Sequence, residues 1–121
     1  MSIQHVALEL RRSDVEACVA FYAMLGFTRV DPPESLADRA AWLQSGATQV
    51  HLLWVDDPVV PREGHVAVVV PDYASVTQAL RAAGFEVDTR AEHWGAPRSF
   101  VRDPAGHRVE LMAAPPSTEA G

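Results

Sequence analysis

Two stretches, HVALEL at 5–10 and HVAVVV at 65–70, decide the fold. In the first, Val6, Leu8 and Leu10 alternate with His5, Ala7 and Glu9, the period of a strand with one apolar face. Downstream, Ser13 to Glu16 reads as a capping box. Val15, Cys18, Val19, Tyr22 and Leu25 then recur at helical spacing until Gly26 offers a C-cap. Phe27 to Val30 is the next expected strand. The prolines and acids of DPPES open a loop, and AAWLQ and TQVHLLW read as two further strands joined by a turn at Ser45, Gly46 and Ala47.

After the proline-punctuated stretch DDPVVPREG the chain starts over. HVAVVV is followed by Asp72 as an expected helix cap and by an inner helix face of Tyr73, Val76, Leu80 and Ala83. AAGF at 82–85 answers MLGF at 24–27; His5 to Phe27 spans 22 positions and His65 to Phe85 spans 20. FEVD, the loop AEHWGAP, the strand RSFVR, the turn DPAGH and the strand RVELM complete the second copy. The expected fold is therefore α+β, built from two tandem βαβββ modules. Module one is placed at 2–56, a linker at 57–63 and module two at 64–113, together one domain, with a frayed tail at 114–121. A half of this size cannot cover its own sheet, which gives a reason for the doubling.

Composition agrees with one domain: 121 residues, 48% hydrophobic and 21% charged, bury roughly two thirds of their unfolded surface. Sixteen acids oppose ten bases for a net charge of −6, and every base is arginine. No lysine exists to form a Schiff base, attach pyridoxal phosphate or serve a phosphate loop. The acidic balance argues against nucleic acid and against an anionic membrane surface. One cysteine cannot make an intramolecular disulfide, so a reducing, cytoplasmic setting is expected. The amino terminus shows no basic segment followed by a long apolar run, and no membrane span is expected.

Strand parity selects the chemistry. If Val6, Leu8, Val50, Leu52, Val66, Val68, Val109 and Leu111 pack on the helices, the opposite face receives His5, His51, His65 and Glu110. The repeat relates them, since His5 and His51 stand 46 positions apart and His65 and Glu110 stand 45 apart. Three imidazoles and a carboxylate suit one divalent transition metal ion, Zn, Fe, Mn, Ni or Co. On the residues alone, histidines satisfied on a half-buried sheet remain the other reading.

Elsewhere, Arg98 and Arg102 share a face that suits an anionic substrate group. His93 and Trp94 lie in a loop that reads either as a substrate lid or as an exposed connection. Trp42, Trp54 and Phe100 line a pocket or fill the core, Trp54 by parity the core. His107 reads as a turn residue. Cys18 lies on the packed side of its helix and is not a nucleophile, and no serine sits in a nucleophile elbow.

The doubled pattern, HVALEL with FYAMLGF, GHVAVVV with RAAGF, and FVRDPAGHRVELM, resembles the vicinal oxygen chelate superfamily of glyoxalase I, extradiol dioxygenases, fosfomycin-resistance thiol transferases and bleomycin-resistance proteins. The resemblance covers roughly residues 2–113 and implies that the two βαβββ modules form an open, cup-shaped, eight-stranded mixed sheet. It implies metal ligands on the first, fourth, fifth and eighth strands, which map to His5, His51, His65 and Glu110. Bacterial glyoxalase I is similar at three of these but carries Glu where His51 stands. The fosfomycin and extradiol enzymes use a triad mapping to His5, His65 and Glu110, which leaves His51 as an added ligand or a base. Ala7 in place of a substrate-binding Thr, and the lack of lysine, weigh against the fosfomycin branch; the short chain weighs against ring cleavage.

The resemblance implies a metal-dependent lyase or isomerase of glyoxalase type, with Glu110 and His51 as catalytic groups acting on a small vicinal-oxygen substrate, in a homodimer. The alternatives it leaves are a metal-free drug- or metabolite-binding protein, an iron(II) dioxygenase or a thiol transferase.

Overall fold

Alternation at the amino terminus produces β1 (His5–Leu10), and a single 3-10 turn at Arg12–Asp14 leads into α1 (Val15–Met24). There follow β2 (Thr28–Val30), β3 (Ala40–Ser45) and β4 (Thr48–Trp54), then β5 (Val66–Val69), α2 (Tyr73–Ala82), β6 (Asp88–Arg90), β7 (Arg98–Arg102) and β8 (Arg108–Met112). This computed structural model describes residues 1–117, so the last four of the expected tail lie outside the described residues. The eight strands form two four-stranded sheets, ordered β1-β4-β3-β2 and β5-β8-β7-β6. In each the outer pair, β1 with β4 and β5 with β8, is parallel and the others are antiparallel.

The repeated LGF and AGF segments have a physical cause. Gly26 and Gly84 adopt φ values of +97° and +93°, which glycine takes without a Cβ clash. The Phe27 amide then donates to the Tyr22 carbonyl and the Phe85 amide to the Leu80 carbonyl, each at 3.0 Å. Both helices thus stop in the same six-to-one closure that satisfies their last carbonyls.

The N-termini differ from the sequence reading. Neither Asp14 before α1 nor Asp72 before α2 makes a side-chain capping bond. The 3-10 turn draws Ser13 into its own ring, so the expected box at Ser13 to Glu16 does not form. The strand expected at FEVD begins only at Asp88. Its three residues are all exposed, so no burial pattern marked it.

The chain separates into two compact units. The first is Met1–Arg62 with Asp103–His107, and the second is Glu63–Arg102 with the strand from Arg108 onward. In the first, Leu8, Leu10, Leu43, Val50 and Leu52 meet Val15, Cys18, Phe21 and Tyr22 in a buried core. Each such aliphatic side chain contributes roughly 1.5–3 kcal/mol by leaving water. In the second, Leu80 and Thr77 of α2 are buried, as are Ser99, Val101, Val109 and Leu111. Thr77 returns its hydroxyl to the Tyr73 and Ala74 carbonyls, which lets a polar residue occupy that face. Ala83, expected there, is exposed. Trp54 is half-buried at the end of β4. Its indole N–H donates to the Asp38 carbonyl and Arg12 lies over the ring, so it borders the core and does not fill it.

Candidate functional site

In the first unit, register fixes which side chains share the face away from α1. His5 lies opposite Gln49, Ala7 opposite His51, and Trp42 opposite His51. The small Ala7 side chain leaves room for the His51 ring to lie flat. His51 is the centre of a three-ring stack, 4.0 Å from His5 at 18° and 4.1 Å from Trp42 at 2°. Its Nε2–H donates to Gln49 Oε1 at 2.8 Å, and Gln49 Nε2 donates onward to Gln44 Oε1 at 2.7 Å. His5 Nδ1–H donates to Gln4 Oε1 at 2.8 Å. Amide oxygens only accept, so in the neutral rings the free lone pairs are Nδ1 of His51 and Nε2 of His5. Burial, reinforced by the neighbouring His5 imidazole, pushes the His51 pKa down.

In the second unit, Phe100 lies opposite Glu110 across β7 and β8, and Ala67 lies opposite Glu110 across β5 and β8. His65, directly before β5, places Nε2 at 3.1 Å from Glu110 Oε1. Its Nδ1–H donates to the Glu63 carbonyl at 2.9 Å. Both ring nitrogens of His65 thus face acceptors, while a neutral ring carries an N–H on only one of them. With Nδ1–H on the carbonyl, the contact with Glu110 needs a positive centre between the two atoms, a proton or a metal ion. Two ligand atoms each about 2.1 Å from one tetrahedral ion stand roughly 3.4 Å apart, so the pair is spaced for either. A backbone carbonyl on the far nitrogen is also the usual way a liganding histidine is oriented. The opposite oxygen, Glu110 Oε2, accepts from Arg98 Nη1 at 3.2 Å, while Arg98 Nε donates to the Ala91 carbonyl at 2.7 Å.

The four expected ligands thus fall two to each unit, as ring neighbours in the first and an imidazole–carboxylate pair in the second. Within either unit, among the described residues, no group of three or more His, Cys, Asp or Glu side chains is placed to hold a metal ion. Arg98 touches Glu110 and lies 5.8 Å from the Trp94 ring centroid. Trp94 is half-buried, its indole N–H donating to the Ala114 carbonyl at 3.0 Å. His93 and Arg102 are exposed, with Arg102 on the Arg98 face of β7. Sequence reasoning missed Gln49, which sets the His51 tautomer, and Arg108, whose guanidinium lies 4.0 Å over the Phe100 ring. Parity with His51 and with Glu110 was the available signal for both.

The DPAGH turn belongs to the first unit. Asp103, buried, accepts from the Tyr22 hydroxyl at 2.7 Å on Oδ2 and from the Ala105 and His107 amides at 3.0 and 2.9 Å on Oδ1. His107 is buried with Nε2–H donated to the Glu9 carbonyl, a structural bond that matches its reading as a turn residue. Burial, with the Asp103 charge adding to it, raises the Tyr22 pKa and pushes the Cys18 thiol up to about 12.

The model of the Glyoxalase/Bleomycin resistance protein/Dioxygenase superfamily matches residues 2–111. The chain belongs to this superfamily. Within it, the chain is 27% identical to Glyoxylase I 4 of Arabidopsis thaliana over 91% of its own length and 69% of that protein's. A glyoxalase family protein from Bacillus anthracis, 27% identical, superposes with a TM-score of 0.84 over 93% of both chains. Lactoylglutathione lyase from Agrobacterium tumefaciens, 20% identical, superposes with a TM-score of 0.69 over 92% of both and shares the fold. The superfamily fold accounts for the doubled βαβββ order. No helix among the described residues is long and apolar enough to cross a membrane.

Proposed function

We propose that the chain is a divalent-metal-dependent lyase or isomerase of glyoxalase type, which moves a proton between neighbouring carbons of a small substrate carrying two adjacent oxygens. The contact between His65 Nε2 and Glu110 Oε1 carries this reading, because both His65 nitrogens face acceptors and a proton or a metal ion is needed between the two atoms. His5, His51, His65 and Glu110 are the residues that would hold the ion, Zn, Fe, Mn, Ni or Co. Such an ion supplies Lewis-acid stabilisation of negative charge developing on the substrate oxygens.

Glu110 is the proton carrier in this reading. Arg98 holds Oε2, so Oε1, once it leaves the ion as substrate binds, is the atom that would take a proton from one carbon and return it to the next. His51, stacked and fixed by Gln49, offers only Nδ1, so it would serve either as an added ligand or as the second candidate base. The working form is proposed to be a cytoplasmic homodimer.

The test is metal analysis of protein purified without chelator, with turnover of the methylglyoxal–glutathione hemithioacetal measured before chelation, after it and on adding back each ion. Sedimentation of the same samples reads the oligomeric state. Bound metal and metal-restored turnover are expected, both lost in Glu110→Gln with the fold intact. Turnover retained in that variant removes Glu110 from the mechanism, and a protein that binds no divalent ion supports metal-free sequestration in its place.

A further inference from the structure

Pairings of Arg90 with Arg98, Phe100 with Glu110 and Arg102 with Arg108 put four arginines on the Glu110 face of the second sheet. That is four of the ten bases in a chain of net charge −6, gathered on one face. Phe100 lies among them, with the guanidinium carbons of Arg108, Arg90 and Arg98 at 4.0, 5.4 and 5.7 Å from its ring centroid. The His65 ring meets the same phenyl ring edge-on at 5.0 Å.

The partners of these arginines differ. Arg98 is bound to Glu110 and to the Ala91 carbonyl, and Arg90 pairs with Asp88 on its own strand. Arg108 is 16% exposed and stacked on Phe100, but its ion-pair partner Glu63 is 83% exposed. An ion pair to so exposed a carboxylate contributes little and exchanges readily. The stacked guanidinium, by contrast, is already oriented and presents a planar fork that suits a carboxylate. Arg108 and His65 share the Phe100 ring, so a group on Arg108 is a few bonds from one on His65.

We infer that Arg108 recognises a carboxylate of the substrate, and that Glu63 occupies this guanidinium until the substrate displaces it. The substrate class is then a small acid whose carboxylate stands a few bonds from its two adjacent oxygens. That assignment rests on the function proposed above; the exchange of Glu63 for an incoming carboxylate does not require the metal.

The probes are 2-oxoglutarate and 2-oxopentanoate, which share an α-oxo acid head and a chain length and differ in the distal carboxylate. Calorimetric titration of metal-free and Co(II)-loaded protein is expected to show 2-oxoglutarate binding about tenfold or more tightly. Arg108→Met should erase the preference, and Arg108→Lys should recover part of it. Glu63→Gln should tighten 2-oxoglutarate several-fold by removing the competitor, a gain that misfolding cannot produce. Co(II) affinity and thermal melting should be unchanged in all three variants. Equal binding of the two acids by the wild type, a preference surviving Arg108→Met, or weaker binding in Glu63→Gln overturns the inference. Absence of Co(II) binding alongside an intact preference overturns the metal reading alone.

Discussion

Tyr22 and Asp103, 81 positions apart, share a buried 2.7 Å hydrogen bond from the phenol to Oδ2. The other oxygen of Asp103 is saturated by the Ala105 and His107 amides, so Oδ2 depends on Tyr22 for its bond in the protein interior. Tyr22→Phe removes one oxygen without changing packing and leaves that acceptor buried. The expected loss is about 1–3 kcal/mol, read as a lower midpoint in urea or a Tm lowered by roughly 4 °C per kcal/mol. An unchanged Tm would show that water replaces the phenol at no cost.

Gln49 is expected to act on metal affinity through His51. Its Oε1 accepts the Nε2–H and so holds Nδ1 as the free nitrogen. Gln49→Leu keeps a side chain of similar size but frees the tautomer. Loss of a partner that orients a liganding histidine costs about 10–100-fold in metal affinity, and that range is expected from Co(II) absorption titrations. Gln49→Glu keeps the acceptor and should restore most of the affinity. An effect in neither variant would mean that His51 takes no part in holding the ion.

The features legible in the sequence were those with a local cause. HVALEL and HVAVVV carry a period of two, and Gly26 and Gly84 close their helices within six residues, so repeat and fold could be read without long-range information. Parity alone put His5 with His51, and His65 with Glu110, on common faces. What escaped depends on register across strands: that Arg108 reaches over Phe100, and that Gln49 and not solvent receives the His51 proton. The caps at Ser13 and Asp72 failed for backbone reasons: Ser13 lies inside the 3-10 turn, and Asp72, though at the N-cap of α2, has φ −90° and ψ 48° in place of the extended conformation from which a side chain caps. Edge strand β6 was misplaced because none of its residues is buried.

The metal-free protein should lose stability on the acid side. Burial and the adjacent His5 hold the His51 pKa below its ordinary value of 6.5, so between the folded and unfolded values the unfolded chain binds more protons and stability rises with pH. This contribution is complete above 6.5 and is lost as pH falls through the folded value. Urea midpoints measured in chelator from about pH 7.5 to about pH 5 should fall, and His51→Gln should flatten that part of the curve. A variant curve parallel to the wild type would place the acid sensitivity elsewhere.

Cys18 provides a direct reading of how often the first unit opens. The thiol is fully buried on α1, and burial with the nearby Asp103 charge pushes it up to about 12, so the reactive thiolate is suppressed in the folded chain. It is also the one cysteine of the sequence, so every labelled molecule reports this position. Reaction with a thiol-exchange reagent at mildly alkaline pH should run on the order of a thousandfold or more slower than in denaturant, through transient unfolding. Because Tyr22 lies one helical turn from Cys18, Tyr22→Phe should accelerate labelling by the factor that its stability loss implies, about tenfold for each 1.4 kcal/mol. Rapid labelling of the folded wild type, at a rate indifferent to Tyr22→Phe, would show that Cys18 is reached without unfolding.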